Sequence, residues 1–426
     1  METYTQKIST GDISDFKNKM LNWANRFSIF CFLDNCNYQF EEPKFEFMLA
    51  AGAIRDIHLQ PGSALMQLQV FHNQKPGWLF GHLGYDLKNE IEQLETSHKP
   101  IIDFGVGYFF EPEIRIRYKN NILEIVSHHK NPESFFTQIN NTETGNETAP
   151  ALSAFSGIHK QEYLQAIKKI QEHIKQGDCY EMNYCVHFSA EGSINPVAVY
   201  NKLTELSPNP FSALYKMKHN YCICASPERY LQKNGLQLIS QPIKGTSKRH
   251  PYNDTKDREA FNYLKQSQKE KSENVMIVDL VRNDLSRICM AGSIKVKELF
   301  GIYAFPQVYQ MISTIQGDML PSHSFTDALQ ASFPMGSMTG APKKRVMELI
   351  DEIELHSRGL FSGAIGYITP EADFDFNVII RSIFYNETQK LVSYAAGGGI
   401  TFYSRADDEY EECLLKATAM RKVLES

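Results

Sequence analysis

Several things are scarce in this 426-residue sequence, and each scarcity excludes a class of protein. Lys and Arg together number 44 against 50 Asp and Glu, a net charge of −6 with pI near 6.1, so the basic field of a nucleic-acid binder is missing. No apolar run approaches the ~20 residues a membrane helix needs, and the polar stretch from Met1 to Gly11 lacks the apolar core of a signal peptide. The eight cysteines, at 31, 36, 179, 185, 222, 224, 289 and 413, include no CxxC pair of the kind that holds zinc. Cys222 and Cys224 instead read as neighbours on one face of a strand, and scattered reduced thiols point to the cytoplasm. Neither GxGxxG after a strand nor GxxxxGK[ST] occurs, which disfavours dinucleotide and P-loop sites. There is no short repeat, and no Gly-x-Cys-x-Gly elbow of a glutaminase.

What is present is ordinary globular composition, 42% hydrophobic and 22% charged, long enough for a substantial core. The stretch from Asn140 to Gly157 is rich in Asn, Thr, Glu and Ser and reads as a linker between residues 1–139 and 157–423, two regions expected to form one intertwined fold. The first part looks strand-rich, with Phe27–Leu33, Ala64–Phe71 and Ile114–Tyr118 as strands. In the second part Tyr163, Leu164, Ile167, Ile170 and Ile174 recur at helical spacing until Gly177-Asp178. Strands follow at 179–188, 221–225 and 236–241, with helical patterns at 254–288, 343–355 and 407–424. This order favours an α+β fold.

Three constellations carry chemistry. Glu228, in Ser226-Pro-Glu-Arg-Tyr230, precedes Lys244, in Pro242-Ile-Lys-Gly-Thr246, around a strand hairpin. A lysine in a tight, poorly solvated turn is expected to lose its charge readily and act as nucleophile or base, with Glu228 beside it as proton donor or acceptor; a solvated Lys–Glu pair is the alternative. Glu409, Glu412 and Lys416 fall on one face of a helix, and Glu273 lies on another; carboxylates from two helices suit Mg²⁺, although such spacing also describes a solvated face. Finally, Gly397, Gly398 and Gly399 leave a strand, and Gly336–Lys343 precedes a helix, so both runs could offer N–H groups to an anion. Arg381 is a charge in an apolar strand, suited to a substrate carboxylate or to a structural ion pair.

Taken together, these stretches resemble the chorismate-utilising enzymes. Ser226–Tyr230, Pro242–Thr246, Ser272–Leu285, Phe333–Lys343, Ser362–Tyr367, Gly397–Ile400 and Glu409–Glu412 occur in the family's order over about residues 157–423, and Gly81–Asp86 looks like that of the aminating members. The resemblance implies the anthranilate synthase component I-like fold, a layered αββα sandwich with mixed β-sheets. It implies chorismate as substrate and Mg²⁺ as cofactor, with Glu273 and Glu412 on the metal and Glu409 in or near its shell. The second substrate carboxylate would then meet Arg381, Tyr367 and the N–H groups of Gly397–Gly399. Gly245 and Thr246 would line the ring, and Lys416 and Thr339 would add contacts.

Family members with alanine at the position of Lys244 make anthranilate, whereas those with lysine aminate C4, so Lys244 implies a 4-amino-4-deoxychorismate product. The implied route is attack of Lys244 at C2, then of ammonia at C4, with Glu228 as acid and base. A separate glutamine amidotransferase is then expected to supply ammonia. The sequence departs from the family twice: Gln310 stands where histidine is usual, which weakens pyruvate elimination, and Glu181 stands where water-using relatives have lysine and ammonia-using relatives commonly glutamine. Ser207–Ser212 resembles the tryptophan-pocket loop of relatives. The competing readings are anthranilate synthase component I and a non-catalytic, regulatory chorismate-binding homologue.

Overall fold

The structure, a computed structural model, describes residues 3–10, 13–38, 44–144, 152 and 155–425. Much of the expected linker, namely 145–151, 153 and 154, lies outside the described residues.

Strands that bury both faces organise the molecule. In Ile29–Asp34, residues Ile29, Cys31 and Leu33 enter one hydrophobic cluster while Phe30 and Phe32 enter another. In Asn220–Ser226, Cys222 and Cys224 enter the first cluster and Tyr221, Ile223 and Ala225 the second, and all eight cysteines are free. Side chains alternate at period two, so a strand sandwiched between two apolar layers reads as an unbroken apolar run. Among the described residues these strands form an eleven-stranded and a ten-stranded sheet. Phe16, Tyr163, Leu203, Val346 and Met420, from five helices, fill the second cluster against the outer face of the larger sheet. Leu68, Ile277 and Leu329, from three others, join the first cluster with the smaller sheet. The layers are helix, sheet, sheet, helix, an αββα sandwich of α+β class.

Strands from before residue 140 and after 157 interleave: Ile29–Asp34 pairs with Phe211–Met217 in one sheet, and Leu79–Leu83 with Ala364–Ile368 in the other. Every strand pair among the described residues is antiparallel rather than mixed. Other expectations change for local reasons. Ala64–Phe71 lies in a helix, Ala64–Gln74, whose buried Ala64, Leu65, Leu68 and His72 recur at three and four while Met66 and Val70 are exposed. The pattern over 254–288 is two helices, Asp254–Gln266 and Gln268–Ser286. Ser267 between them is extended, and its side chain accepts from the Glu270 N–H. Gly397–Gly399 do not leave a strand; they lie inside Leu391–Thr401, in register with Cys185–Asn183.

Candidate active site

Lys244 owes its direction to a bulge. Strand Ile243–Lys248 runs against Val308–Asp318 with Ile243 opposite Ile312 and Thr246 opposite Gln310, so Lys244 and Gly245 share the single residue Met311. The extra residue breaks the pleat and re-aims the side chain. Gly245 has φ +100°, and a Cβ there would lie 3.1 Å from Glu270 Oε2 and 3.2 Å from Met311 Cβ, so only glycine fits without strain. Lys244 thus sits in a bulged strand rather than in a hairpin turn.

The buried Lys244 ammonium forms an ion pair with Glu181 Oε1, at the start of strand Glu181–Glu191. The pair lies over Gly399, where a Cβ would stand 2.5 Å from Glu181 Oε1 and 2.7 Å from Lys244 Nζ. Burial alone would lower the Lys244 pKa, but the charges of Glu181 and Glu273, and then Glu228, hold it above the ordinary lysine value. The expected free amine is therefore corrected: desolvation is outweighed by carboxylates that sequence spacing did not reveal.

Glu228 lies between strands Asn220–Ser226 and Arg229–Asn234, buried in the same cavity wall. Burial pushes its carboxyl up to about 7, against hydrogen bonds from Ser337 and the Ile243 N–H and against the Lys244 charge. Ser337 Oγ donates to Glu228 Oε1 at 2.5 Å. The turn bearing Ser337 is fixed in turn, with Asn183 Nδ2 donating to Ser337 O at 3.1 Å and Arg358 Nη1 to Met338 O at 2.6 Å. Arg358 is itself gripped by both oxygens of Glu354, at 2.6 and 2.9 Å.

Across the cavity two helices present carboxylates. Glu273 comes from Gln268–Ser286, and Glu409 and Glu412 come from Ala406–Glu425. A Cβ on Gly398 would lie 3.6 Å from Glu409 Oε2 and 3.9 Å from Glu412 Oε1, so the two acids meet over that glycine. Lys269 Nζ stands 3.0 Å from Glu409 Oε1 and 3.8 Å from Glu273 Oε1, and Lys416 Nζ donates to Glu412 Oε1 at 2.8 Å and Gly397 O at 2.9 Å. Glu273 Oε1 is buried without a hydrogen-bond partner. Among the described residues no three acidic, His or Cys side chains close on one point. Hard oxygens on two helices, one of them orphaned and with a lysine as the present counter-charge, fit Mg²⁺, which takes few protein ligands and completes its shell with water or substrate oxygens.

Arg381 is not in a strand. It connects Phe374–Val378 to Ser382–Asn386 with φ +53° and faces the cavity with no ion pair among the described residues. Burial pulls its guanidinium down to about 10, opposed by Glu412, and it stays charged at neutral pH. Thr246, Gln310 and Phe361 complete the wall, and Gln310 Oε1 is buried and unpartnered.

Lys244, Glu228, Gly245, Thr246, Glu273, Arg381, Gly397, Gly399, Glu409, Glu412 and Lys416 thus surround one cavity, with Gly398 beside it. Two expected contacts do not. Tyr367 points from strand Ala364–Ile368 into Phe45, Trp78 and Phe80. It lines a separate cavity of about 930 Å³ with Pro210, Phe211 and Ser212 of the loop singled out above. Thr339 turns its hydroxyl back onto Met335 O and Gly336 O, both at 3.3 Å. The larger cavity is therefore not the one that holds the lysine and the carboxylates. Sequence reasoning gave no role to Phe361, Ser337 or Lys269; Ser337 lies within the Gly336–Lys343 run, and Lys269 left a trace as the i, i+4 partner of Glu273.

Residues 33–422 match the family of chorismate binding enzymes. Aminodeoxychorismate synthase component 1 of Escherichia coli (strain K12) is 33% identical over 353 residues, 82% of this chain and 77% of that protein. Aminodeoxychorismate synthase component 1 of Bacillus subtilis (strain 168) is 37% identical over 263 residues, 62% of this chain and 55% of that one. The crystal structure of anthranilate synthase component I from Streptococcus pneumoniae TIGR4 superposes with a TM-score of 0.78 at 25% identity, covering 90% of this chain and 94% of its own. The match over nearly the whole length, on the fold and cavity just described, makes this chain a member of the chorismate binding enzyme family.

Proposed function

We propose that the chain aminates chorismate at C4, giving 4-amino-4-deoxychorismate for 4-aminobenzoate and folate synthesis. One observation carries this reading: Lys244 and Glu228 enter one cavity whose other walls offer Arg381 and a two-helix set of carboxylates. Chorismate is a dicarboxylate. Arg381 suits one carboxylate by a bidentate pair. Glu273 and Glu412, with Glu409 beside them, would hold Mg²⁺, which when bound neutralises the acidic wall and anchors the other carboxylate.

Lys244 Nζ, after its ammonium proton passes to water, forms a bond to ring C2 as the C4–O bond breaks, and Glu228 gives its own proton to the departing hydroxyl, which leaves as water. Ammonia then bonds to C4 while the C2–Nζ bond breaks, and the carboxylate of Glu228 takes up the excess proton. Gln310, buried in the same wall, cannot shuttle a proton near neutral pH, so the enolpyruvyl group stays on the product. This favours the 4-amino product over anthranilate. The relatives' designation as component 1 supports a second component, which we take to be a glutamine amidotransferase supplying ammonia. Unbridged cysteines, and the absence among the described residues of any helix long and apolar enough to cross a membrane, support a cytoplasmic enzyme.

The test is incubation with chorismate, Mg²⁺ and an ammonium salt. A product that yields 4-aminobenzoate only after a lyase is added supports the reading, and direct appearance of fluorescent anthranilate sinks it. Intact chorismate despite measurable binding would point to a regulatory homologue.

A further inference from the structure

Glu181 is completely buried and does not line the cavity; it stands behind Lys244 and reaches the chemistry only through that lysine. It is the one ion-pair partner of Lys244 among the described residues, and its second oxygen, Oε2, has no hydrogen-bond partner. The pair is held on three sides. Strand Glu181–Glu191 is tied to the Ser337 turn through Asn183, the bulge fixes the backbone of Lys244, and Gly399 leaves only enough room for the two head groups to lie over it. A glutamine here would still accept a hydrogen bond from Lys244 but would bring no charge. A carboxylate favours the ammonium form and disfavours the free amine, and only the free amine is a nucleophile.

We propose that Glu181 is a positioning residue that holds Lys244 as an ammonium in the resting site, so that Lys244 becomes a nucleophile only when this ion pair opens and the ammonium proton passes to water. The proposal rests on the reading of Lys244 as the attacking amine. The carboxylates that face Lys244 are Glu181 from its strand, Glu228 from the loop before Arg229, Glu273 from helix Gln268–Ser286 and Glu412 from helix Ala406–Glu425. Glu181 is the one in contact, and its charge is the first of those that raise the lysine. Removing it lowers the Lys244 pKa, which increases the free-amine fraction at any pH below that pKa. The other three still favour the ammonium.

Carbamylation by cyanate reads this directly, because cyanic acid adds whole to a free amine: an N–C bond forms, and no group leaves. At pH 8, with the modified peptides quantified by mass spectrometry, Glu181→Gln should carbamylate at Lys244 about tenfold faster than the unmodified protein or more, the effect of a shift of roughly one unit or above. Exposed Lys7 should react equally in both. Glu181→Asp, which keeps the charge, should stay within about threefold of the unmodified protein. Below pH 7, where the free-amine fraction of Lys244 limits the rate, kcat/KM for chorismate should rise about tenfold in Glu181→Gln. Should Glu181→Gln not fold, Gly399→Ala, whose Cβ forces the pair apart, should also speed labelling. Equal Lys244 labelling in Glu181→Gln and the unmodified protein, or an Asp variant as fast as the Gln variant, overturns the proposal. Labelling needs no turnover, so its failure is separable from a failure to aminate chorismate.

Discussion

Replacing Glu228 by glutamine should make the protein more stable and less active, and the structure gives both magnitudes. Burial raises the Glu228 carboxyl from 4.5 to about 7. The folded state therefore binds a proton that the unfolded state has already released between those values, and stability falls as pH rises through that window. A shift of about 2.5 units at 1.36 kcal/mol each is about 3 kcal/mol of stability, fully present below pH 4.5 and lost above pH 7. Glutamine keeps the shape and the Ser337 contact without the charge, so Glu228→Gln should gain about 2–3 kcal/mol over the unmodified protein on going from pH 5 to pH 8. As proton donor to the leaving hydroxyl, Glu228 should be worth roughly 10²–10⁴ in kcat. The unmodified rate should rise with pH up to about 7 and level off above it, where each gain in free Lys244 amine is offset by loss of the Glu228 donor. Urea unfolding at pH 5 and 8, with initial rates of chorismate amination over the same range, measures both. A variant whose stability advantage is the same at the two pH values would refute the argument from burial. A variant with unchanged kcat would refute the role of Glu228 as acid.

Three further outcomes follow from the same geometry. Arg381→Ala should raise KM for chorismate by about 10- to 100-fold, the loss of one charged hydrogen-bonding pair, and Arg381→Lys should not restore it because an ammonium lacks the planar fork. Gly245→Ala should cost about 1–3 kcal/mol in urea unfolding, since φ +100° strains any other residue, and should lower kcat by misaiming Lys244. Chelation by EDTA should abolish turnover, Mg²⁺ should restore it, and Glu273→Gln should raise the Mg²⁺ concentration for half-maximal rate by about tenfold or more.

The family's motifs, and for Arg381 its charge in an apolar run, pointed to residues that the fold brings together: Lys244, Glu228, Glu273, Arg381 and the helical pair Glu409 and Glu412 line one cavity. Local pattern also sufficed where an element has one environment, as with Lys160–Gln176 ending at Gly177, φ +86°. It failed where the deciding partner is distant. The charge state of Lys244 depends on Glu181, 63 positions away, and no spacing rule links them. Tyr367 follows the Gly366 of its motif onto the face of the strand that packs against Trp78 and Phe80, a consequence of register across the sheet rather than of sequence proximity. The glycines at 397–399 suggest a turn because glycine usually marks one. Here they keep a strand clear, since a Cβ at Gly397 would overlap the Tyr184 carbonyl and one at Gly399 would displace the Lys244–Glu181 pair. Lys269 reads as half of a solvated helical pair, and only the second helix shows that it bridges Glu273 and Glu409.

The most direct test of the account is a mass measurement on enzyme mixed with chorismate and Mg²⁺ while ammonia is withheld. If Lys244 attacks C2 as the C4 hydroxyl leaves, the peptide containing Lys244 gains the mass of chorismate less one water, and ammonium discharges it as 4-amino-4-deoxychorismate. Turnover on adding ammonium with no adduct on that peptide beforehand, or an adduct on another residue, would contradict it.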